Sequence, residues 1–372
     1  MRAQCCTSEE QGSEGTVIRR AVFFLLAVSL FALAVARPAD TQRVVAIADI
    51  HGDLDAFVGI LQRAGLVDTN IRWSARNTTL VQTGDFLDRG PKARAAMDLL
   101  MALQKDAPRQ GGRVIVLMGN HEAMNIYGDL RYVTPDDYAS FADSKSENRR
   151  KSAFAAYAEL NKDASEAEWM NSHPPGFIEH REAFGSDGKY GKWLRSLQAV
   201  ARVNDSIFLH GGLHPQFASW KVEKINDVVA AEIKAFDAYK KFMIEQKIAL
   251  PFYTLDELTT AANAAVEKKV DVLKDFLGLG GWLSIHPDGP LWFRGYAQWS
   301  DAEGAPQIQT LTEAFGVARF VVGHTPQAGQ IAERFGGKVY LIDTGMLSSY
   351  FNGGRASALN IQDGKASAIY MQ

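Results

Sequence analysis

Three short runs rich in β-branched residues open the body of the chain: RVVAIAD (43–49), LVQTGD (80–85) and RVIVLMGN (113–120). The stretches between them carry helical spacing. Phe57, Ile60, Leu61 and Ala64 share one face of LDAFVGILQRAGLV (54–67), and Ala96, Met97, Leu100 and Leu103 form a stripe after Pro91, where a helix begins. Parallel strands need long crossovers, so this strand–helix–strand–helix–strand order dictates an α/β fold with a substantially parallel first sheet. Further strands are expected at SIFLHGG (206–212), RFVVGHT (319–325), KVYLIDTG (338–345) and in two runs near the end, SALNIQD and ASAIYMQ. These later strands stand closer together, which points to a mixed second sheet.

Two long helical stretches, near 134–200 and 221–280, interrupt the strands. With no repeat or low-complexity linker between them, residues 43–372 read as one catalytic domain with helical insertions. The SKSENRRK run (144–151) alternates in sign and reads as a solvated helix face rather than a phosphate patch. Lys and Arg number 40 against 43 Asp and Glu, a net charge of −3, so no nucleic-acid partner is expected. The only cysteines are Cys5 and Cys6, which rules out a disulfide framework, a structural zinc site or a cysteine nucleophile in the body of the chain.

Residues 1–36 read as a signal peptide. Arg19 and Arg20 precede sixteen uncharged residues, Ala21 to Ala36, that end in the small-x-small triplet Ala34-Val35-Ala36. The apolar run is short for a membrane span, which needs ~20 residues. The expectation is a protein of the secretory pathway or an exported one, in a periplasm, an organelle lumen or the extracellular space. The alternative is a membrane anchor formed by residues 21–36, the one case in which a membrane is a partner.

Chemistry gathers at the strand ends, where open α/β sheets place ligand groups. The first three strands run into Asp49-Ile50-His51-Gly52-Asp53, Gly84-Asp85-Phe86-Leu87-Asp88-Arg89-Gly90 and Gly119-Asn120-His121-Glu122. His210-Gly211-Gly212 and Gly323-His324 follow two later ones. Five strand ends with metal-ligand residue types point to a two-metal site. Asp49 and His51 can hold one ion; His210, His324 and the Asn120 amide oxygen can hold a second, with Asp85 as the shared carboxylate. Mixed nitrogen and oxygen donors suit Mn, Fe or Zn better than Ca or Mg. Two such ions about 3.5–4 Å apart can bind a hydroxide between them and clamp an in-line displacement at phosphorus. His121 is then the candidate general acid, Asp88 the carboxylate that orients it, and Arg89 a planar fork for phosphate oxygens.

DIHG, GDFLDRG, GNHE, HGG and GH in this order resemble the phosphoprotein phosphatase family of calcineurin-like metallophosphoesterases. GDLRYVT (128–134) and GPLWFRGY (289–296) look like its Shewanella-like branch. The resemblance implies an α/β/β/α sandwich of two mixed sheets with a dinuclear centre, manganese the first expectation and iron or zinc the others. It gives Asp49, His51 and Asp85 to one metal, and Asp85, Asn120, His210 and His324 to the second. It gives His121 and Asp88 to acid catalysis, and phosphate to Arg89, Asn120 and a second arginine, for which Arg294 in LWFRGY is the candidate. The implied reaction is hydrolysis of a phosphate monoester by a bridging hydroxide, on a phosphorylated protein or peptide. Competing readings are a phosphoesterase for dinucleoside polyphosphates or small metabolites, and a non-catalytic phosphoprotein-binding module. A nuclease of this fold ends in GHxH, where this chain has Gly323-His324-Thr325-Pro326.

Three further expectations concern local structure. The family's first motif starts GD, and here Ala48 precedes Asp49, which matters only if that backbone needs positive φ. The insertion at 221–280 is expected near the cleft mouth. The aromatic stretch from Trp282 to Trp299 is either a wall beside the phosphate or half-buried packing. His173, His180, His214 and His286 receive no role.

Overall fold

The computed structural model describes residues 42–371. The apolar segment 21–36, the expected cleavage point and both cysteines lie outside the described residues. Among the described residues no helix is long and apolar enough to cross a membrane. The strands are β1 (Val44–Ile47), β2 (Thr79–Gln82), β3 (Arg113–Val116), β4 (Val200–Val203), β5 (Ser206–Leu209), β6 (Arg319–Val322), β7 (Ala332–Arg334), β8 (Val339–Leu341), β9 (Ser357–Gln362) and β10 (Lys365–Tyr370).

They form two five-stranded sheets, ordered β10-β9-β1-β2-β3 and β4-β5-β6-β8-β7. In the first, β1, β2 and β3 are parallel, while β9 runs antiparallel to β1 with Asn360 opposite Val45. In the second, β5, β6 and β8 are parallel, and β4 and β7 run antiparallel at the edges. Both sheets are therefore mixed. The final hairpin, grouped by sequence with the later strands, closes the first sheet instead. Three strands alone would leave a row of unpaired backbone groups along β1, and the hairpin satisfies them.

Side chains alternate along each strand, and in the central strands both sides are buried. Val44, Ala46, Val81, Ile115, Phe208, Val321, Leu359 and Ile361 pack together between the sheets. From the same strands Val45, Ile47, Leu80, Val114, Ile207 and Val322 face the other way, into the helical layers. This double burial explains why the strands read as continuous apolar runs. The layering is that of the α/β/β/α sandwich implied by the resemblance.

Helices α1 (Leu54–Arg63) and α2 (Ala93–Asp106) are the crossovers between β1, β2 and β3, and α3 (Asn120–Tyr127) follows β3 after a short turn. The first insertion supplies α4 (Pro135–Phe141), α5 (Ser146–Leu160), α6 (Glu166–Ser172), α7 (Phe177–Phe184) and α8 (Lys189–Leu194). The second supplies α9 (Val222–Glu245), α10 (Leu255–Glu267) and α11 (Leu273–Leu277), and α12 (Gly295–Gln298) and α13 (Asp301–Phe315) lead to β6. In the SKSENRRK run, Lys145, Glu147, Asn148 and Lys151 are exposed, as a solvated face requires. Arg150 departs from it: the residue is buried, and its Nε donates to the His173 carbonyl at 2.6 Å.

Phe208 is fully buried between the sheets. Phe208→Ala should cost about 3–5 kcal/mol in urea unfolding. A loss under about 1 kcal/mol, the range of surface changes, would contradict the packed inter-sheet core.

Candidate active site

The strand ends converge at one edge of the two sheets, and the backbone there is strained. Of the twelve non-glycine residues with positive φ among the described residues, five are candidate site residues: His51, Asp85, Asp88, Arg89 and His324. Such conformations cost about 1–2 kcal/mol each and persist only where the surroundings over-determine them. Ala48 is not among them, so its replacement of glycine carries no penalty. Two glycines are dictated by close approach. A Cβ on Gly119 would overlap the Asp85 carboxylate, and one on Gly323 would overlap that of Asp49.

Each of the three candidate metal-ligating histidines is oriented by a backbone carbonyl. His51 Nδ1 donates to Leu87 O at 2.9 Å, His210 Nδ1 to Thr83 O at 3.1 Å, and His324 Nε2 to Trp292 O at 3.1 Å. Fixing one ring nitrogen as donor leaves the other with its lone pair aimed inward, the arrangement a metal ligand requires. The inward atoms meet. His210 Nε2 lies 2.9 Å from the Asn120 amide oxygen, 3.1 Å from His324 Nδ1 and 3.1 Å from Asp85 Oδ2. His51 Nε2 lies 3.8 Å from both Asp49 Oδ2 and Asp85 Oδ2, and the His324 amide donates to Asp49 Oδ1 at 3.0 Å.

The candidate acid has its own partner. His121 Nδ1 donates to Asp88 Oδ2 at 2.7 Å, and its Nε2 stands 3.8 Å from Asp85 Oδ2. Asn125, one helical turn along α3, donates to Asp88 Oδ1 at 2.9 Å and to the His121 carbonyl at 3.0 Å. Arg89 Nη1 donates to His51 Nε2 at 2.9 Å, and its guanidinium lies against Tyr350 and Tyr132, 4.6 and 5.3 Å from the ring centres. Arg294 Nη1 donates to the His324 carbonyl at 2.9 Å and to Thr325 Oγ1 at 3.1 Å. All ten candidate residues are thus brought to one place, Arg294 included.

Several residues without a role in the sequence reading belong here. The buried Glu122 carboxylate accepts backbone N–H groups from Gly119 (2.7 Å), Asp85 (2.8 Å), Phe86 (3.0 Å) and Leu87 (3.3 Å). Asp343, at the end of β8, is buried beside Asp49 and accepts from Gly345 N at 2.9 Å. The strand-end rule that found the other carboxylates applies to it equally; Asn125 is marked only by its spacing from His121. In the Trp282–Trp299 stretch, Phe293 and Tyr296 are buried packing, and Trp292 alone stands edge-on to His324, 5.9 Å between ring centres. The rings beside Arg89 come instead from Tyr132 and Tyr350. In the second insertion, α9 packs on α3, with Phe236 against Tyr127 at 4.9 Å between ring centres.

Electrostatics match a cation site. Burial pulls His51 down to about 3, with His121 adding to it. Burial also holds His324 well below its usual value, helped by His210 and Arg294. Burial, then Asp343 and Asp85, push Asp49 well above the carboxylate range. Burial would raise Asp85 too, but His210, His121 and His51 outweigh it and hold it well below. Burial would likewise lower His121, yet Asp85 and Asp88 hold it above its ordinary value. Crowded carboxylates among inward-facing imidazole nitrogens are what a cation relieves. His51, Asp85 and His121 offer donor atoms within 4.8 Å of one another, and so do Asp85, His210 and His324. The first of these groups contains His121 where the resemblance implies Asp49.

Burial pushes Glu122 up to about 8, with Asp85 adding to it. Glu122→Gln replaces one accepting oxygen with an NH2 facing backbone donors. The expected loss is about 1–3 kcal/mol in thermal or chemical unfolding. Unchanged stability would contradict the role given to this carboxylate.

The calcineurin-like phosphoesterase family matches residues 42–328. An uncharacterised protein of Schizosaccharomyces pombe is 33% identical over 88% of this chain and 79% of its own. Shewanella-like protein phosphatase 2 of Arabidopsis thaliana is 36% identical over 52% of each chain, so the alignment spans about half of that relative. Shewanella-like protein phosphatase 1 of Plasmodium berghei is 27% identical over 88% of this chain and 74% of its own. Among solved structures, a cold-active protein tyrosine phosphatase superposes with a TM-score of 0.59 at 25% identity, covering 88% of this chain and 78% of that one. These likenesses bear out the branch read from the motifs. With its family motifs and its converging His and Asp donors, the chain belongs to the calcineurin-like phosphoesterases and is a metallophosphoesterase.

Proposed function

We propose that this chain is a phosphoprotein phosphatase, hydrolysing a phosphate monoester on a protein or peptide with two divalent cations, manganese the first expectation. The observation that carries the reading is the convergence of six nitrogen and oxygen donors beside the Asp88–His121 pair. Asp49, His51 and Asp85 would hold one cation, and Asp85, Asn120, His210 and His324 the other. When bound, such cations supply Lewis acidity and a nucleophile at neutral pH.

The chain's own residues do the rest. Arg89 and Arg294 present guanidinium forks to the phosphoryl oxygens, and the Asn120 amide adds a donor. His121 gives the proton on Nε2 to the leaving oxygen, while Asp88 holds Nδ1–H and stabilises the imidazolium. Asn125 keeps Asp88 from turning away. The protein substrate is supported by the relatives named as protein phosphatases. Tyr132 and Tyr350, exposed beside Arg89, offer aromatic faces at the mouth.

His121→Ala should keep both cations by elemental analysis yet lose about 10²–10⁴ in turnover of p-nitrophenyl phosphate. Asp85→Asn should lose both metal and turnover. A fully active His121→Ala protein would end the acid assignment, and loss of a cation would make His121 a ligand. Matched phosphoserine, phosphothreonine and phosphotyrosine peptides test the substrate class. Hydrolysis of at least one is expected; turnover of p-nitrophenyl phosphate alone would contradict a protein substrate.

A further inference from the structure

Between the two helical insertions lies a cleft of about 1420 Å³, open to solvent at its rim and larger than the usual ligand pocket of roughly 300–1,000 Å³. None of the candidate active-site residues lines it. Its walls come from α5, α7, α9 and the loop before α10. Much of the surface is apolar, with Ile178, Phe236, Ile244 and Phe252 among the lining side chains. Buried apolar walls of this size between helices fit an elongated hydrocarbon body.

Two cations of the lining have no carboxylate partner among the described residues. Arg181 lines the cavity and is 4% exposed; its Nη1 donates to the Asn125 carbonyl at 3.0 Å, but its Nε has no hydrogen-bond partner. Lys240, half-buried, lines the same cavity, and neither residue forms an ion pair among the described residues. The carboxylates along this wall are committed or outside. Asp237 accepts from Nε and Nη2 of Arg195, both at 2.8 Å, Glu245 faces Lys241 at 3.8 Å, and Glu182 and Asp187 are exposed. Burial, then the charges of Arg181 and Arg195, hold Lys240 well below its usual value. Buried cations without a counterion are unfavourable and are normally paired. Capping of α3 explains the Nη1 contact of Arg181, but it leaves the free Nε and the unpaired Lys240 unexplained.

We propose that this cavity binds a fatty-acid carboxylate, its head between Arg181 and Lys240 and its chain along the apolar wall. A carboxylate supplies the missing counterion and the acceptor for Arg181 Nε, and an alkyl chain supplies apolar surface for Ile178, Phe236, Ile244 and Phe252. Occupancy is coupled to the active site. Arg181 holds Asn125, and Asn125 holds Asp88 and the His121 carbonyl. Ordering Arg181 on a ligand therefore changes the support of the His121–Asp88 pair.

The test uses the full metal-loaded chain, with laurate and uncharged dodecanol as probes in calorimetry. Binding is read directly, so its outcome does not depend on the phosphatase reading. Laurate should bind one per chain, about tenfold or more tighter than dodecanol. Lys240→Met should lower laurate affinity about tenfold while leaving dodecanol unchanged. Ala156→Trp, which fills the cavity from α5, should remove both. Laurate binding indifferent to both substitutions, or equal affinity for dodecanol, would overturn the site. Laurate should change turnover of p-nitrophenyl phosphate at least about twofold in the wild type, and in Lys240→Met the same change should need about tenfold more laurate. Unchanged wild-type turnover with laurate bound would overturn the coupling.

Discussion

One carboxylate ties the site together. Glu122, in the first turn of α3, accepts N–H groups from Gly119 and from three successive residues of the loop after β2. Those groups would otherwise be orphan donors at a helix start and in a buried, strained turn. By collecting them, Glu122 locks the end of β2 to the start of α3. Asp85 and Asp88 then sit on one side of the junction, and Asn120, His121 and Asn125 on the other. The bonds from the His121 amide to Asp85 Oδ1 and from His121 Nδ1 to Asp88 Oδ2 follow from that placement. The cost of positive φ at Asp85, Asp88 and Arg89 is borne because the junction admits no other path.

From this junction the second sheet completes the cluster. β5 and β6 are parallel neighbours, so His210 and His324 leave equivalent strand ends and meet at 3.1 Å. Gly323 lets the β6 turn come up to the Asp49 carboxylate from the first sheet. The two sheets thus meet in one donor set although no strand joins them. Their apolar inner faces hold the two halves in register, which is how Phe208 and Val321 serve the chemistry without touching it.

The parallel core and most of the site were legible because each rests on a local signal. β1, β2 and β3 are runs of Val, Ile and Leu separated by helical stripes, and their ends carry Asp, His and Asn beside glycine. What was missed depends on distant partners. Glu122 is a motif residue, but its donors in the loop after β2 lie more than thirty positions away. β7 is Ala-Glu-Arg, with no apolar alternation, and exists because β8 offers an edge. β4 lies at the end of a helical stretch, and its antiparallel pairing with β5 decides its state. The final hairpin carries alternation that fits either sheet; only the open edge of β1 assigns it. Asp343 obeys the strand-end rule but lies beyond the last family motif, Gly323-His324.

The central claim is that one junction builds a two-cation site with His121 beside it, free to act as an acid. An anomalous-scattering map of crystals loaded with manganese tests it most directly. The account predicts two peaks, one bounded by Asp49, His51 and Asp85, the other by Asp85, Asn120, His210 and His324, with His121 ligating neither. A single peak, or a peak held by His121, would contradict it.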